Sequence, residues 1–325
     1  MKNTSAIAVV IPCFRVSDHI LDVISRIGPE TSRIYVIDDC CPEGSSAVVE
    51  GNCKDVRLTI IRHTENQGVG GAVITGYKAA IEDGMEIIVK IDGDGQMDPH
   101  LIPDFVAPII DGEADYTKGN RFFDPEALRP MPKIRLLGNA VLSFMTKLSS
   151  GYWDLFDPTN GFTAIHRDVA VRLPLCKISH RYFFETDMLF RLNTLRAVVV
   201  DIPMTARYGA EGSNLRISRI IGEFLWKHMR NFTKRIFYNY YLRDMSLASL
   251  ELPLGLAMLV FGLSFGIHHW ALSISLEQPS SSGTVMLSAL PVIIGLQLLL
   301  AFLGHDIGSV PRRPFHRLRR FSTLD

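Results

Sequence analysis

Apolar runs of strand length alternate with helically spaced apolar positions along the first part of the chain. The segments "AIAVVIPCF" (6–14), "RIYVIDDC" (33–40), "VRLTIIRH" (56–63) and "EIIVKIDGDG" (86–95) are short, largely apolar and mostly closed by turn or acidic residues. They predict four buried strands. Between them, "DHILDVISRIG" (18–28) places Ile20, Val23, Ile24 and Ile27 at helical spacing, with Asp18 as N-cap and Gly28 as C-cap. "GGAVITGYKAAIEDG" (70–84) predicts a helix ending at Gly84. The alternation implies an α/β fold with a mostly parallel sheet and helices on both faces. Ligands of such sheets bind beyond the carboxyl ends of the strands. The acidic ends Asp38-Asp39 and Asp92/Asp94 therefore mark the expected binding position.

The pattern is mixed over 100–215, with a strand and turn expected at 115–122, a long amphipathic helix at 133–151 and a strand at 197–204. From 217 to 241 Ile, Phe and Trp mingle with Lys and Arg, as in a helix lying in a membrane interface. Between Glu251 and Asp306 the sole formally charged residue is Glu277. The apolar segments 252–276 and 278–303 on either side of it each exceed the roughly 20 residues that cross a bilayer. The expected domains are a catalytic domain at 1–215, juxtamembrane helices at 216–250, a two-helix transmembrane hairpin at 251–305 and a basic tail at 306–325.

Charge adds orientation. Lys+Arg and Asp+Glu are both 34, so no overall bias points to nucleic acid. Lys227, Arg230, Lys234, Arg235 and Arg243 precede the first span, Arg312, Arg313, Arg317, Arg319 and Arg320 follow the second, and "EQPSSSG" between them has no basic residue. By the positive-inside rule both termini and residues 1 to about 250 are expected on the cytoplasmic side of a membrane, the inner one in a bacterial cell, that the chain crosses twice. The N-terminus does not read as a signal peptide, because its apolar run is short and holds Pro12. His268 and His269 then fall near the outer end of the first span, where an interfacial placement is expected. The five cysteines contain no Cys-x-x-Cys pair and read as free thiols.

Asp92 and Asp94 are spaced by glycines, and on an extended segment positions i and i+2 point the same way. Converging carboxylates call for a cation, and hard divalent ions such as Mg²⁺ or Mn²⁺ take oxygen ligands with phosphates as co-ligands. Gln96 offers a third oxygen. An EF-hand loop is excluded, since Met97 and Pro103 stand where Gly and Glu are required. Asp38-Asp39 read either as acceptors for ribose or base donors or as turn caps. "NQGVGGA" (66–72) fits neither Gly-x-Gly-x-x-Gly nor Gly-Lys-Ser/Thr and follows the third strand, which argues against a dinucleotide-dependent oxidoreductase. Its Gly68 and Gly70 still allow backbone N–H groups to approach a diphosphate.

"VVIPCF", "VIDDC", "NQGVGGA", "DGDGQMDP", "GNRF" and "DPTNGF" occur in this order. Together with the hairpin they resemble the family-2 glycosyltransferases of GT-A fold (Rossmann-like) that load a sugar onto a polyprenyl phosphate. The resemblance implies a nucleotide diphosphate sugar donor (UDP-glucose or GDP-mannose type), a polyprenyl phosphate acceptor, a divalent metal and inversion at the anomeric carbon. It implies that Pro12, Asp38, Asp39, Gly68 and Gly70 lie at the donor, and that Asp92, Asp94 and Gln96 form the metal and diphosphate site. Arg121 would face the phosphates, Arg135 and Asn139 the lipid phosphate, and Arg207 and Ser213 a loop closing over the phosphates. Asn214 stands where many relatives have Lys. Asp157 would orient the acceptor or act as a base. A processive polysaccharide synthase is the rival, but its Gln-x-x-Arg-Trp motif is missing from "EFLWKHMRN". A non-catalytic nucleotide-sugar binder is the second rival. A homo-oligomer and the sugar itself stay open.

Overall fold

The computed structural model describes residues 5–123, 133–205 and 217–319. They divide into two compact units, one within Met1–Phe232 together with Pro311–Asp325 and the other within Thr233–Val310.

The first unit is built on a seven-stranded sheet of order β3-β2-β1-β4-β6-β5-β7. Its strands are β1 (Ile7–Cys13), β2 (Thr31–Asp38), β3 (Leu58–Arg62), β4 (Ile87–Lys90), β5 (Tyr116–Asn120), β6 (Thr163–His166) and β7 (Val199–Pro203). All pairings are parallel except those of β6, which runs antiparallel to both β4 and β5. Strand β1 is almost wholly apolar because both faces of the sheet are covered there: Ile7, Val9 and Ile11 join the core that includes Val23, Ile24 and Phe105. On β1, Val10 meets the helix of Val69–Glu82, where a Cβ on Gly76 would lie 2.3 Å from Val10 Cγ1. Glycine is what lets that helix lie on the strand.

The described helices of this unit are α1 (Ile20–Ser25), α2 (Ser45–Asn52), α3 (Val69–Glu82), α4 (Ile102–Ile110), α5 (Lys133–Ser150), α6 (Arg167–Ala170), α7 (Phe184–Thr194), most of α8 (Ile217–Phe237) and, after the second unit, α11 (Phe315–Arg319). Helices α2, α4 and α7 and strand β6 are not among the elements read from the sequence pattern. Each is short, at four to eleven residues. The C-terminal segment, expected as a separate basic tail, packs on this unit. Buried Asp115 accepts hydrogen bonds from the backbone N–H groups of Phe315 at 2.7 Å and His316 at 3.0 Å and from the His316 ring at 2.7 Å.

The fourth strand is shorter than its sequence suggests. It ends at Lys90, and 92–95 form a turn in which Gly95 has φ +77° and Asp94 Oδ1 accepts from the Gln96 N–H at 3.0 Å. Asp94 thus closes an Asx-type turn. The expectation that Asp92, Asp94 and Gln96 alternate along an extended strand is corrected accordingly: a turn, not a pleat, sets their directions.

In the second unit, α9 (Ala248–Ser275) and α10 (Ser282–Gly308) are each long and apolar enough to cross a membrane. They pack on each other through small residues. A Cβ on Gly255 would lie 3.0 Å from the Gly295 carbonyl oxygen, and one on Gly295 would lie 2.8 Å from that of Gly255. Such contacts let apolar helices approach closely. Buried Arg235 and Asp306 form a two-pronged ion pair at 2.6 and 2.9 Å, and the Tyr240 hydroxyl donates to the same carboxylate at 2.6 Å.

Candidate active site

The antiparallel strand β6 decides the geometry of the site. Its first residue, Thr163, stands in register with Lys90 at the end of β4 and with Lys118 on β5. The loop 157–162 therefore enters the sheet between the carboxyl ends of these two parallel strands. It carries Asp157 to Arg121 and brings Gly161 beside Asp92.

Asp157 has φ +52° and is 2 % exposed. Its Oδ1 accepts from Arg121 Nη2 at 2.6 Å, and its Oδ2 accepts from Arg121 Nε at 2.6 Å and from the Arg121 backbone N–H at 3.1 Å. Asn160 Nδ2 also donates to Oδ2, at 3.2 Å. Burial pushes the Asp157 carboxyl up, but the Arg121 guanidinium outweighs it and the group sits below its ordinary value. A carboxylate bound in this way holds an arginine in place and is a poor proton acceptor. Of the two roles expected for Asp157, the base is disfavoured.

Beneath this pair lie two buried lysines. Lys118, 1 % exposed, donates to the carbonyl oxygens of Phe156 and Asp157 and lies 3.1 Å from Asp201 on β7. Lys90, also 1 % exposed, lies 3.0 Å from Asp92 Oδ1 and 3.2 Å from Glu185 Oε1 at the start of α7. Burial lowers the Lys90 ammonium, yet Asp92 and Glu185 more than offset this and hold it above its ordinary value. A Cβ on Gly161 would sit 2.4 Å from both Asp92 Oδ2 and Lys90 Nζ, so any side chain there would have to displace this pair. Lys90, Glu185, Lys118 and Asp201 are absent from the sequence-derived candidates. The signal was present in "IIVK" and "YTKG": a lysine inside a buried strand must have a carboxylate nearby.

On the other side of β1, Pro12 and Cys13 stand in register with Ile37 and Asp38. Asp38 accepts from the Cys41 N–H at 2.7 Å and from the Ser46 hydroxyl. Asp39 Oδ1 accepts from the Gln67 N–H at 2.8 Å and contacts His63 Nδ1 at 2.8 Å, and its Oδ2 accepts from the Gly68 N–H at 2.8 Å. Both acids thus organise their own loops, and Asp39 shapes the glycine turn before α3. The expectation for Gly68 and Gly70 is corrected. The Gly70 N–H donates to the His180 carbonyl at 2.8 Å. A Cβ on Gly68 or Gly70 would lie 2.6 Å from the carbonyl oxygen of His180 or Ser179, respectively. These glycines admit the 179–181 backbone, which covers the N–H groups that a phosphate would need.

Asn139 is half-buried on α5. Arg207 and Ser213 lie outside the described residues, as does the side chain of Arg135.

Among the described residues no three His, Cys, Asp or Glu side chains converge as a metal cage. The acidic turn still fits a hard divalent ion of the kind that takes one or two carboxylates from the protein and its other ligands from a substrate's phosphates. Asp92 is part-exposed, Asp94 closes the same turn, and Gln96 adjoins it.

The sequence matches the model of "Glycosyl transferase family 2" over residues 8–173, just over half of the chain. The chain belongs to this family. This glycosyltransferase is 28% identical over 229 residues to the UDP-N-acetylglucosamine–dolichyl-phosphate N-acetylglucosaminyltransferase of Methanococcus voltae, covering 65% of this chain and 91% of that one. It is 27% identical over 194 residues to the undecaprenyl-phosphate mannosyltransferase of Micrococcus luteus, covering 59% and 79%. In fold, the glycosyltransferase resembles glucosyl-3-phosphoglycerate synthase of Mycobacterium tuberculosis, solved with Mn²⁺, UDP-glucose and phosphoglyceric acid. The TM-score is 0.52 at 17% identity, over 71% of this chain and 79% of that one. Its first unit is accordingly a GT-A-like α/β domain.

Proposed function

We propose that this glycosyltransferase moves a hexose from a nucleotide diphosphate sugar, of UDP-glucose or GDP-mannose type, to a polyprenyl phosphate at the cytoplasmic face of the inner membrane. The observation that carries this reading is the convergence of the acidic turn at Asp92–Asp94 with the Asp157-held Arg121 at one end of the sheet, in a chain that also carries two span-length apolar helices. The sugar-lipid relatives from Methanococcus voltae and Micrococcus luteus support it.

The chemistry follows from charge. The acceptor phosphate is already anionic, so it attacks without first losing a proton to a base. The main task is to bring two negatively charged phosphates together. Arg121, fixed by Asp157, presents a planar cation suited to phosphate oxygens. Arg135, with Asn139 one helical turn on, would take the acceptor phosphate, and Arg207 and Ser213 would close the phosphate site. Asp38 and Asp39 hold the walls of the donor pocket through the turns that they cap. A divalent ion at Asp92 and Asp94, with Gln96 beside it, would stabilise the departing nucleoside diphosphate as a Lewis acid. A single in-line displacement inverts the anomeric carbon. Helix α8 and the two spans would hold the catalytic unit at the surface where the lipid phosphate resides.

The test is transfer of radiolabelled sugar from a panel of nucleotide sugars into chloroform-soluble lipid with undecaprenyl phosphate as acceptor. Incorporation from one donor is expected, with loss of at least about 100-fold in Asp94→Ala. No incorporation from any donor, or full activity in excess chelator, would refute transfer or metal dependence respectively.

A further inference from the structure

The Lys90–Asp92–Glu185 cluster holds more negative charge than one buried lysine balances. One carboxylate would neutralise the ammonium, yet two meet it, Asp92 two residues on at 3.0 Å and Glu185 from α7 at 3.2 Å. Gly161 packs so closely on the pair that a Cβ there would lie 2.4 Å from both Asp92 Oδ2 and Lys90 Nζ. Lys90 is almost wholly buried, whereas the Asp92 side chain is 29 % exposed. The lysine thus grips Asp92 Oδ1 from inside the sheet while the rest of that carboxylate faces the site. Any divalent ion at the acidic turn would share Asp92 with a cation already in place. Like charges a few ångströms apart in a partly buried site repel strongly.

We infer that Lys90 is a positioning residue that fixes Asp92 and holds down the affinity of the turn for a divalent ion, so that the ion binds firmly only when a nucleotide diphosphate adds its own oxygens. Glu185 sets the strength of this effect by drawing Lys90 away from Asp92. The consequence is coupling: the ion arrives with the donor and departs with the leaving nucleoside diphosphate. The inference rests on the proposed metal site and extends it to residues outside the Asp-x-Asp-x-Gln pattern. Glu185 also lies beyond the residues matched by the family model.

The experiment is a Mn²⁺ titration of the detergent-solubilised full chain, followed by electron paramagnetic resonance, without nucleotide and with saturating UDP or GDP. Wild type is expected to bind Mn²⁺ weakly alone and much more tightly with the matching nucleotide. Lys90→Met, close to lysine in length but uncharged, is expected to bind Mn²⁺ alone on the order of ten-fold more tightly, with a smaller gain from nucleotide. Glu185→Gln is expected to move the other way, binding Mn²⁺ about three-fold or more weakly. A lysine needed only for folding would weaken binding in both variants. The inference is overturned if Lys90→Met binds Mn²⁺ no more tightly than wild type. Should Lys90→Met fail to fold, unchanged or tighter binding in Glu185→Gln overturns it. Asp94→Asn separates the two readings. If it leaves nucleotide-dependent Mn²⁺ binding intact, the metal site and this inference fall together. If it abolishes that binding while Lys90→Met behaves as wild type, only the inference falls. Loss of sugar transfer to lipid with these Mn²⁺ effects preserved removes the proposed acceptor and leaves the role of Lys90 standing.

Discussion

Arg121 and Asp157 are better understood as one unit than as two catalytic candidates. The carboxylate is 2 % exposed and both of its oxygens are taken by the guanidinium. Its role is to present a cation. Asp157→Asn is expected to lower kcat/KM by about 100-fold or more, because the arginine loses its two-pronged anchor. It is also expected to destabilise the chain by about 1–3 kcal/mol, less than for a fully buried pair because Arg121 is partly exposed. The pH profile decides between the roles. Since Arg121 holds the Asp157 carboxyl below its ordinary value against the opposing effect of burial, the group stays ionised from about pH 5 upward. The kcat/KM profile of wild type should show no limb in that range that vanishes in Asp157→Asn. Such a limb would restore Asp157 as a base.

Among the elements, the packing of α5 with α8 carries a pH signature. His228 on α8 is buried, pairs through Nδ1 with the Ser149 hydroxyl of α5 at 2.8 Å, and meets the edge of Phe183 with ring centroids 5.0 Å apart. Burial pushes its imidazole down to about 4 from 6.5. Below about pH 6.5 the unfolded chain takes up a proton that the folded chain refuses. Stability should therefore fall as pH drops from about 6.5 to about 4, by on the order of 3 kcal/mol, and then level off. Urea unfolding across this range is expected to show the slope in wild type and a flattened one in His228→Gln. An equal slope in both would assign it elsewhere. The same helix leaves Leu225, Trp226 and Met229 exposed. This agrees with the interfacial role proposed for α8.

For the molecule as a whole, the two span-length helices carry the strongest consequence. The expected orientation rests on basic residues flanking both apolar segments and missing from "EQPSSSG" (277–283). A single cysteine at Ser280, in a chain whose five native cysteines are replaced, should react with a membrane-impermeant maleimide from outside intact cells. A cysteine at exposed Val56 should react only after lysis. Labelling in the reverse pattern would invert the topology. Within the first unit, Asp115 caps α11 through the Phe315 and His316 N–H groups.

Local pattern alone determined much of this protein. Strands β1 to β4, helices α1 and α3, the acids that end β2 and follow β4, the amphipathic α5 and the two apolar segments were legible because each depends on periodicity or charge within a dozen or two residues. The family resemblance added the glycosyltransferase fold, and the match over residues 8–173 bears it out. What only tertiary structure decided is where charges meet. Strand β6 is four residues long, too short to announce its antiparallel entry between β4 and β5, yet it places the loop of Asp157 over Arg121. Lys90 finds Glu185 95 residues away, and Arg121 finds Asp157 36 residues away. The sequence could show that a lysine sits in a buried strand. Asp92 stands two residues on, but that Glu185 also answers the lysine depends on where α7 packs in the fold, and no local periodicity records that placement.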